Sequence, residues 1–435
     1  MAGPAGRIGA VAGGAGPRGH GGARFEDGQG GEGRVAPGAA AMTARAPVSI
    51  RGALPTRGAA GVRVLRFAPA KLNLTLAVVG RREDGYHALH SVMVPLALGD
   101  AVAVSVAPAV APAVAPAGAR DGASGGARGD TLRIAGLPLP ATADDLVLRA
   151  IDATRAAVRD AAWPGDQADP PPLAARLTKR IPVAAGLGGG SSDAATSIAA
   201  AMEAWGASLA PARVAKIAAS LGSDVPFFLA GGVALVTGRG EFVEPLPDLE
   251  GDAPAVLIVT PRLPVSTPAV FAAYGGGARP AEAGAALAVS ERLVADLRSG
   301  LAAPDLLARA EVLAAANYLL PATLSVAPPL AGFRRALQGI LGRPVGQSGS
   351  GPTAWVLYPS LVTARKAARI VRLRIRDGSL PPIGDGAPFV AATAILSRGS
   401  TSATVHPAGA HNVGTTESDR KIGRPTRGRL DPKGS

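Results

Sequence analysis

Cysteine is missing from all 435 positions, which excludes disulfides and thiolate metal sites and fits a reducing, cytoplasmic setting. Hydrophobic residues reach 47%, yet no stretch runs for about 20 apolar residues without Gly, Pro or charge, the length a spanning helix needs. A soluble protein with no membrane partner is expected. Aromatic residues are scarce at 3%, so there are few of the stacking platforms that grip single-stranded nucleic acid.

The net charge of +13 invites a nucleic-acid reading, but its distribution argues against one. Residues 1–62 carry seven arginines against three acidic residues, and residues 398–435 carry seven basic residues against three. The ends supply most of the excess, and the 335 residues between them keep only +5. Both ends are rich in Gly, Ala, Pro and Arg or lack apolar periodicity, and disordered tails are expected. The change of composition makes Met42 a candidate start. A chain this long exceeds the roughly 250 to 300 residues at which one core stops growing, so two domains are expected.

Folded character begins near Val62. Residues 62–67 and 72–79 read as strands, followed by a turn at Glu83-Asp84-Gly85; residues 101–106 read as another strand. An Ala-Pro and Gly-Ala segment at 107–130 reads as a long loop inserted in a hairpin. Helices are expected at 144–158, 193–205, 211–221, 279–300, 303–315 and 328–342, with strands near 174–178, 233–236, 255–259, 353–358 and 388–396. Strands and helices interleave without strict alternation, which favours an α+β sandwich in two lobes over a doubly wound sheet. The expected organisation is a tail at 1–62, one lobe at 63–247, a second at 248–397 and a basic tail from 398.

Chemistry concentrates in four runs. The strongest is Pro182-Val183-Ala184-Ala185-Gly186-Leu187-Gly188-Gly189-Gly190-Ser191-Ser192, between a strand and an alanine-rich helix. Its glycines let backbone N–H groups converge on an anion, and the helix N-terminus adds unpaired donors and partial positive charge. No Gly-Lys-Ser or Gly-Lys-Thr follows, and Ser191 stands where a dinucleotide fingerprint needs glycine. Protein-kinase signatures are missing as well. The run reads as a phosphate cradle of another type, with its cationic help coming from elsewhere.

In Pro69-Ala70-Lys71-Leu72-Asn73-Leu74, strand alternation puts Lys71 and Asn73 on one face. In Gly222-Ser223-Asp224-Val225-Pro226-Phe227-Phe228, Asp224 reads both as a helix N-cap and as a carboxylate partly desolvated by two phenylalanines. The fourth run, Gly346-Gln347-Ser348-Gly349-Ser350-Gly351-Pro352-Thr353, is a second small-residue loop leading into a strand.

These runs, in this order and joined by Arg82-Glu83-Asp84-Gly85-Tyr86-His87, resemble the superfamily of galactose, homoserine, mevalonate and phosphomevalonate kinases. Within it they resemble the kinases of a cytidine-diphosphate-linked methylerythritol, and Asp84-Gly85-Tyr86-His87 is the discriminating piece. The resemblance covers about 64–397. The Ala-Pro insertion departs from the family pattern, as do Gln347 for a frequent Met, Asp145 for Asn and Tyr318 for Asp. It implies an N-terminal nucleotide-binding α+β lobe and a ferredoxin-like α+β C-terminal lobe. It also implies transfer of the ATP γ-phosphoryl group, with Mg²⁺, to the substrate's 2-hydroxyl. Asp224 and Lys71 are then the catalytic pair, and Pro182 to Ser192 wrap the ATP phosphates. Tyr86 and Phe271 are the ring-stacking pair for cytosine, His87 and Asn73 its hydrogen-bond partners, and Thr267 belongs to the segment opening the second lobe.

Overall fold

The computed structural model describes residues 63–107, 123–125, 129–138, 146–161, 163, 169–275 and 280–401. The expected tail at 1–62, most of the insertion and Asp145 lie outside them. The first sheet contains β1 (Arg63–Asn73), β2 (Ala77–Arg81), β3 (His87–Val106), β4 (Ala123–Gly125), β5 (Thr131–Gly136), β6 (Leu173–Lys179), β7 (Ala234–Gly238) and β8 (Phe242–Pro245). Its order is β4-β5-β6-β3-β7-β8, with β1 and β2 also pairing with β3. The second sheet contains β9 (Ala255–Thr260), β10 (Gly346–Gln347), β11 (Ala354–Tyr358) and β12 (Phe389–Ala394), in the order β10-β11-β9-β12. The two-lobed α+β expectation is met.

β3 is the organiser of the first sheet. Its 20 residues pair antiparallel with β1, β2, β6 and β7, where the sequence reading found a strand only at 101–106. Pro95 and Gly99 disguise its first half. The ladder absorbs them with a register shift in β1 between Pro69 and Ala70, opposite Leu96 to Gly99, a bulge of the kind that re-aims side chains. The hairpin expected around the insertion is also corrected. β6 lies between β3 and β5, antiparallel to the first and parallel to the second.

The helices of the first lobe are α1 (Leu146–Asp160), α2 (Gly189–Trp205), α3 (Pro211–Leu221) and α4 (Val225–Ala230). α3 opens on Pro211 and closes at Gly222, as its end signals predict. α1 and α2 cover β1, β3, β5 and β6 through Val147, Ile151, Val158, Ala200, Ala201 and Ala204. Small side chains let α2 sit close on the sheet.

The helices of the second half are α5 (Thr267–Gly275), α6 (Pro280–Arg298), α7 (Ala303–Ala308), α8 (Ala310–Ala315), α9 (Leu320–Val326), α10 (Pro329–Leu341), α11 (Leu361–Arg376) and α12 (Arg398–Thr401). The single helix expected at 303–315 is broken at Arg309, whose φ of −90° and ψ of 7° leave the helical region and whose guanidinium is held by Asp296. β9 and β11 are buried at every position, and continuous apolar runs covered on both faces make such central strands. Phe333, Leu337, Ala364, Ala368 and Val371 of α10 and α11 cover one face. Leu72, Val92, Val94, Val256, Ile258, Leu293 and Trp355 share a core that joins the two sheets.

The chain after β12 is anchored where the basic tail was expected to begin. Arg398 donates to the carbonyls of Ala230, Val233 and Leu246, and its own N–H is accepted by Asp248. A guanidinium that satisfies three carbonyls holds the start of α12 in place. Residues 402–435 lie outside the described residues. No helix among the described residues is long and apolar enough to cross a membrane.

Candidate active site

Lys71 and Asn73 leave the end of β1 side by side, as alternation predicts, and both are buried. The Lys71 N–H bonds the carbonyl of Leu187 at 2.9 Å, tying strand to glycine loop. Its ammonium donates to Asn73 Oδ1 at 2.6 Å and stands 3.7 Å from Asp224 Oδ2. Asn73 in turn donates to Ser91 Oγ at 2.8 Å, so its amide is spent on holding Lys71 and β3 together.

Asp224 occupies the N-cap position of α4 but makes no side-chain cap hydrogen bond. Its two readings thus separate: the backbone caps, while the carboxylate turns to Lys71. The Asp224 side chain keeps 31% exposure against 5% for Lys71, which makes the carboxylate the more open member of the pair.

The glycine loop differs from the sequence reading at its far end. α2 starts at Gly189 rather than Asp193, because glycine and serine tolerate the first turn of a helix whose N-cap, Gly188, is left-handed at φ 69°. The first N–H groups of α2 have no intrahelical acceptor and face the loop. A Cβ on Gly188 would lie 2.9 Å from both Lys71 Cγ and Phe228 Cζ. At Gly186, with φ 76°, it would collide with the Ser348 carbonyl. These two glycines therefore serve a left-handed turn and a close approach at once.

The fourth run closes the site from the second sheet. Ser348 Oγ donates to the Gly186 carbonyl at 2.9 Å, and the Asn73 N–H reaches Ser348 Oγ at 3.4 Å. Asn317 donates to the carbonyls of Gln347 and Gly349, both at 2.9 Å. Gln347 donates to Thr323 Oγ1 at 2.9 Å. Thr267 and Ser350 share a hydroxyl hydrogen bond of 2.8 Å.

Phe271, one helical turn after Thr267 in α5, stacks on His87 at 5.3 Å between centroids and 25° between planes. Tyr274 meets the same imidazole edge-on at 5.4 Å and leans in turn on Tyr318 at 5.3 Å. Tyr86 is 55% exposed beneath the Arg239 guanidinium, 5.5 Å from its ring centroid. His87 thus lies against Phe271, while Tyr86 stands apart from both at the surface. Burial, with the Arg81 charge adding to it, holds His87 below the usual histidine range. Burial pushes the Tyr274 phenol up to about 12, helped by Tyr318.

Sequence reasoning passed over Ser91, Asn317 and Tyr274. Ser91 falls in the unread half of β3. Asn317 lies between two short helices with no motif around it. Tyr274 follows Phe271 by three residues, a spacing that puts both rings on one helix face.

The assembled geometry offers an anion cradle, a buried cation and, 3.7 Å from it, a half-buried carboxylate, the parts required to hold a phosphoryl group and accept a proton. Residues 145–232 match the family described as GHMP kinases N terminal domain. A protein of Pelotomaculum thermopropionicum named 4-diphosphocytidyl-2-C-methyl-D-erythritol kinase is 37% identical over 312 residues, spanning 70% of this chain and 92% of the relative. One of the same name from Sinorhizobium medicae is 35% identical over 321 residues, spanning 72% and 92%. The crystal structure of a 4-(cytidine 5'-diphospho)-2C-methyl-D-erythritol kinase superposes with a TM-score of 0.51 at 30% identity, covering 76% of this chain and 99% of that one. With that identity over nearly the full length of its relatives, and the family's kinase domain on the residues that build the glycine loop, this chain belongs to the 4-diphosphocytidyl-2-C-methyl-D-erythritol kinase family.

Proposed function

We propose that this chain transfers the γ-phosphoryl group of ATP to the 2-hydroxyl of 4-(cytidine 5'-diphospho)-2-C-methyl-D-erythritol, as a cytoplasmic step in the non-mevalonate route to isoprenoid precursors. The observation that carries the reading is the Lys71 to Asp224 approach of 3.7 Å beside the glycine loop. Residues 182–192 hold the ATP phosphates on backbone N–H groups and on the N-terminus of α2. Asp224 accepts the hydroxyl proton as the alcohol oxygen bonds to the γ-phosphorus. The bond from that phosphorus to the β,γ-bridging oxygen breaks, and ADP leaves. Lys71 steadies the negative charge that develops on the transferring oxygens.

Mg²⁺ fits the oxygens present, since Ser192 Oγ is buried without a hydrogen-bond partner and hard cations take oxygen ligands. Ser192, with the phosphates, would hold the ion, and when bound it neutralises phosphate charge. At the other end His87 and Phe271 stack on or bond to the cytosine, Tyr86 closes over it from the surface, and Thr267 fixes α5. Asn73 acts by orienting Lys71.

The rival is the same chemistry on another alcohol. A coupled ADP-release assay should show turnover with the cytidine-diphosphate-linked alcohol and none with mevalonate or homoserine. Turnover confined to the latter two would overturn the assignment.

A further inference from the structure

Beneath the glycine loop lies a second charged group with no part in the scheme above. Lys179, the last residue of β6, donates to Asp100 Oδ2 of β3 and, at 2.6 Å, to Asp193 Oδ2 of α2. Asp100 Oδ1 accepts the backbone N–H groups of Arg180 and, at 2.8 Å, Ile181. All three side chains are 4% exposed or less. The loop at 182–192 is therefore bounded on one side by residues 179–181 and on the other by Asp193, and one ammonium between two carboxylates ties both boundaries to β3. A Cβ on Gly189 would sit 3.1 Å from Ile181 Cγ2 and 3.3 Å from Lys179 Nζ, so the first turn of α2 packs against Ile181 and that ammonium.

We infer that Asp100, Lys179 and Asp193 form a buried ionic clamp that sets the shape of the glycine loop, which makes all three positioning residues for ATP. The inference rests on the reading of that loop as the ATP site. Apolar side chains of similar volume often replace buried ion pairs without loss of stability, since burying ions is expensive. What they would not supply is direction: the clamp's hydrogen bonds fix where the chain enters and leaves the loop. The charge is close to balanced. Burial, with the Asp100 charge adding to it, pushes the Asp193 carboxyl up against the downward pull of Lys179. Burial also opposes the charge on Lys179, but the two carboxylates outweigh it and hold its ammonium above the ordinary range.

Asp193→Ala is the discriminating variant, because it frees the α2 end of the loop and leaves Lys179 and Asp100 as a neutral pair. ATP dissociation constants of the full chain, measured by calorimetry, are compared for wild type, Asp193→Ala, Asp193→Asn, Gly188→Ala in the loop, and Arg155→Met. Arg155→Met breaks the buried Arg155–Asp130 pair elsewhere in the first lobe. Asp193→Ala should weaken ATP at least tenfold with the KM for the alcohol within twofold, and Asp193→Asn, which keeps an acceptor for Lys179, should restore affinity to within threefold. Arg155→Met should lower the melting temperature and leave ATP affinity alone. Wild-type ATP affinity in Asp193→Ala, with Gly188→Ala weakened, would overturn the clamp and leave the loop reading standing. Unchanged affinity in both would overturn the loop reading and the clamp with it. Equal ATP losses in Asp193→Ala and Arg155→Met would reduce the clamp to general stability and also overturn it.

Discussion

The ammonium of Lys71 lies 3.7 Å from the Asp224 carboxylate and 2.6 Å from the Asn73 side-chain oxygen. β1 supplies two of these groups and the turn before α4 supplies the third, from positions more than 150 residues apart. Asn73 has no reach of its own toward solvent, being 2% exposed; it holds the lysine by a short, directional bond. The carboxylate is the partly open member of the three, on the side where an alcohol would approach.

Gly188→Ala should damage ATP binding more than folding. Its left-handed φ of 69° costs an L-residue about 1–2 kcal/mol, and the added methyl would press on Lys71 and Phe228, both 2.9 Å away. An ATP dissociation constant raised tenfold or more, with the unfolding transition still cooperative, is the expected result.

His87 and His90 of β3 give the protein an acid-sensitive element. Burial lowers the pKa of both; for His90 the Glu291 charge opposes this and Arg298 adds to it. The unfolded chain takes up these protons near pH 6.5, before the native state does. Their contribution to stability therefore falls as pH drops below about 6.5 and levels off below the native pKa values. The histidine share is isolated by difference: the urea midpoint of wild type minus that of His90→Gln should decrease from pH 7.5 to 5.5, since the raised Asp193 carboxyl acts with the opposite sign in both proteins.

Arg155 sits almost wholly out of solvent. It pairs with Asp130, donates to the carbonyls of Pro170 and Pro171 and lies 4.8 Å over the Trp205 ring. Arg155→Met leaves the Asp130 charge buried, though Asp130 still accepts from the Leu173 N–H at 2.6 Å. Removing one partner of such a pair costs about 3–5 kcal/mol. Denaturant unfolding should register that loss, with KM for both substrates unchanged.

The proposed site was more legible than the fold that carries it. The glycine loop lies in a run whose composition points to phosphate, while the roles of Lys71 and Asp224 came from the family resemblance. The structure brings Lys71 together with Asp224 and with the loop, and the fourth run, weak by itself, bridges to that loop through Ser348. What stayed hidden has physical reasons. β3 is interrupted by Pro95 and Gly99, and a strand that curves through a bulge loses its alternation. α11 went unread although Ser360 and Thr363 form a capping box. Its inner face is Ala364, Ala367, Ala368 and Val371, too small to stand out among the arginines. Asp100 carries no motif at all, because its partners Lys179 and Asp193 lie 79 and 93 positions away.

The most direct test of the account is turnover and ATP affinity measured together on Asp224→Asn, which keeps the shape of the side chain and removes its ability to take a proton. General-base catalysis contributes about 10² to 10⁴ in rate. The account predicts a loss of kcat in that range with the ATP dissociation constant within threefold of wild type. Wild-type kcat in Asp224→Asn would contradict it.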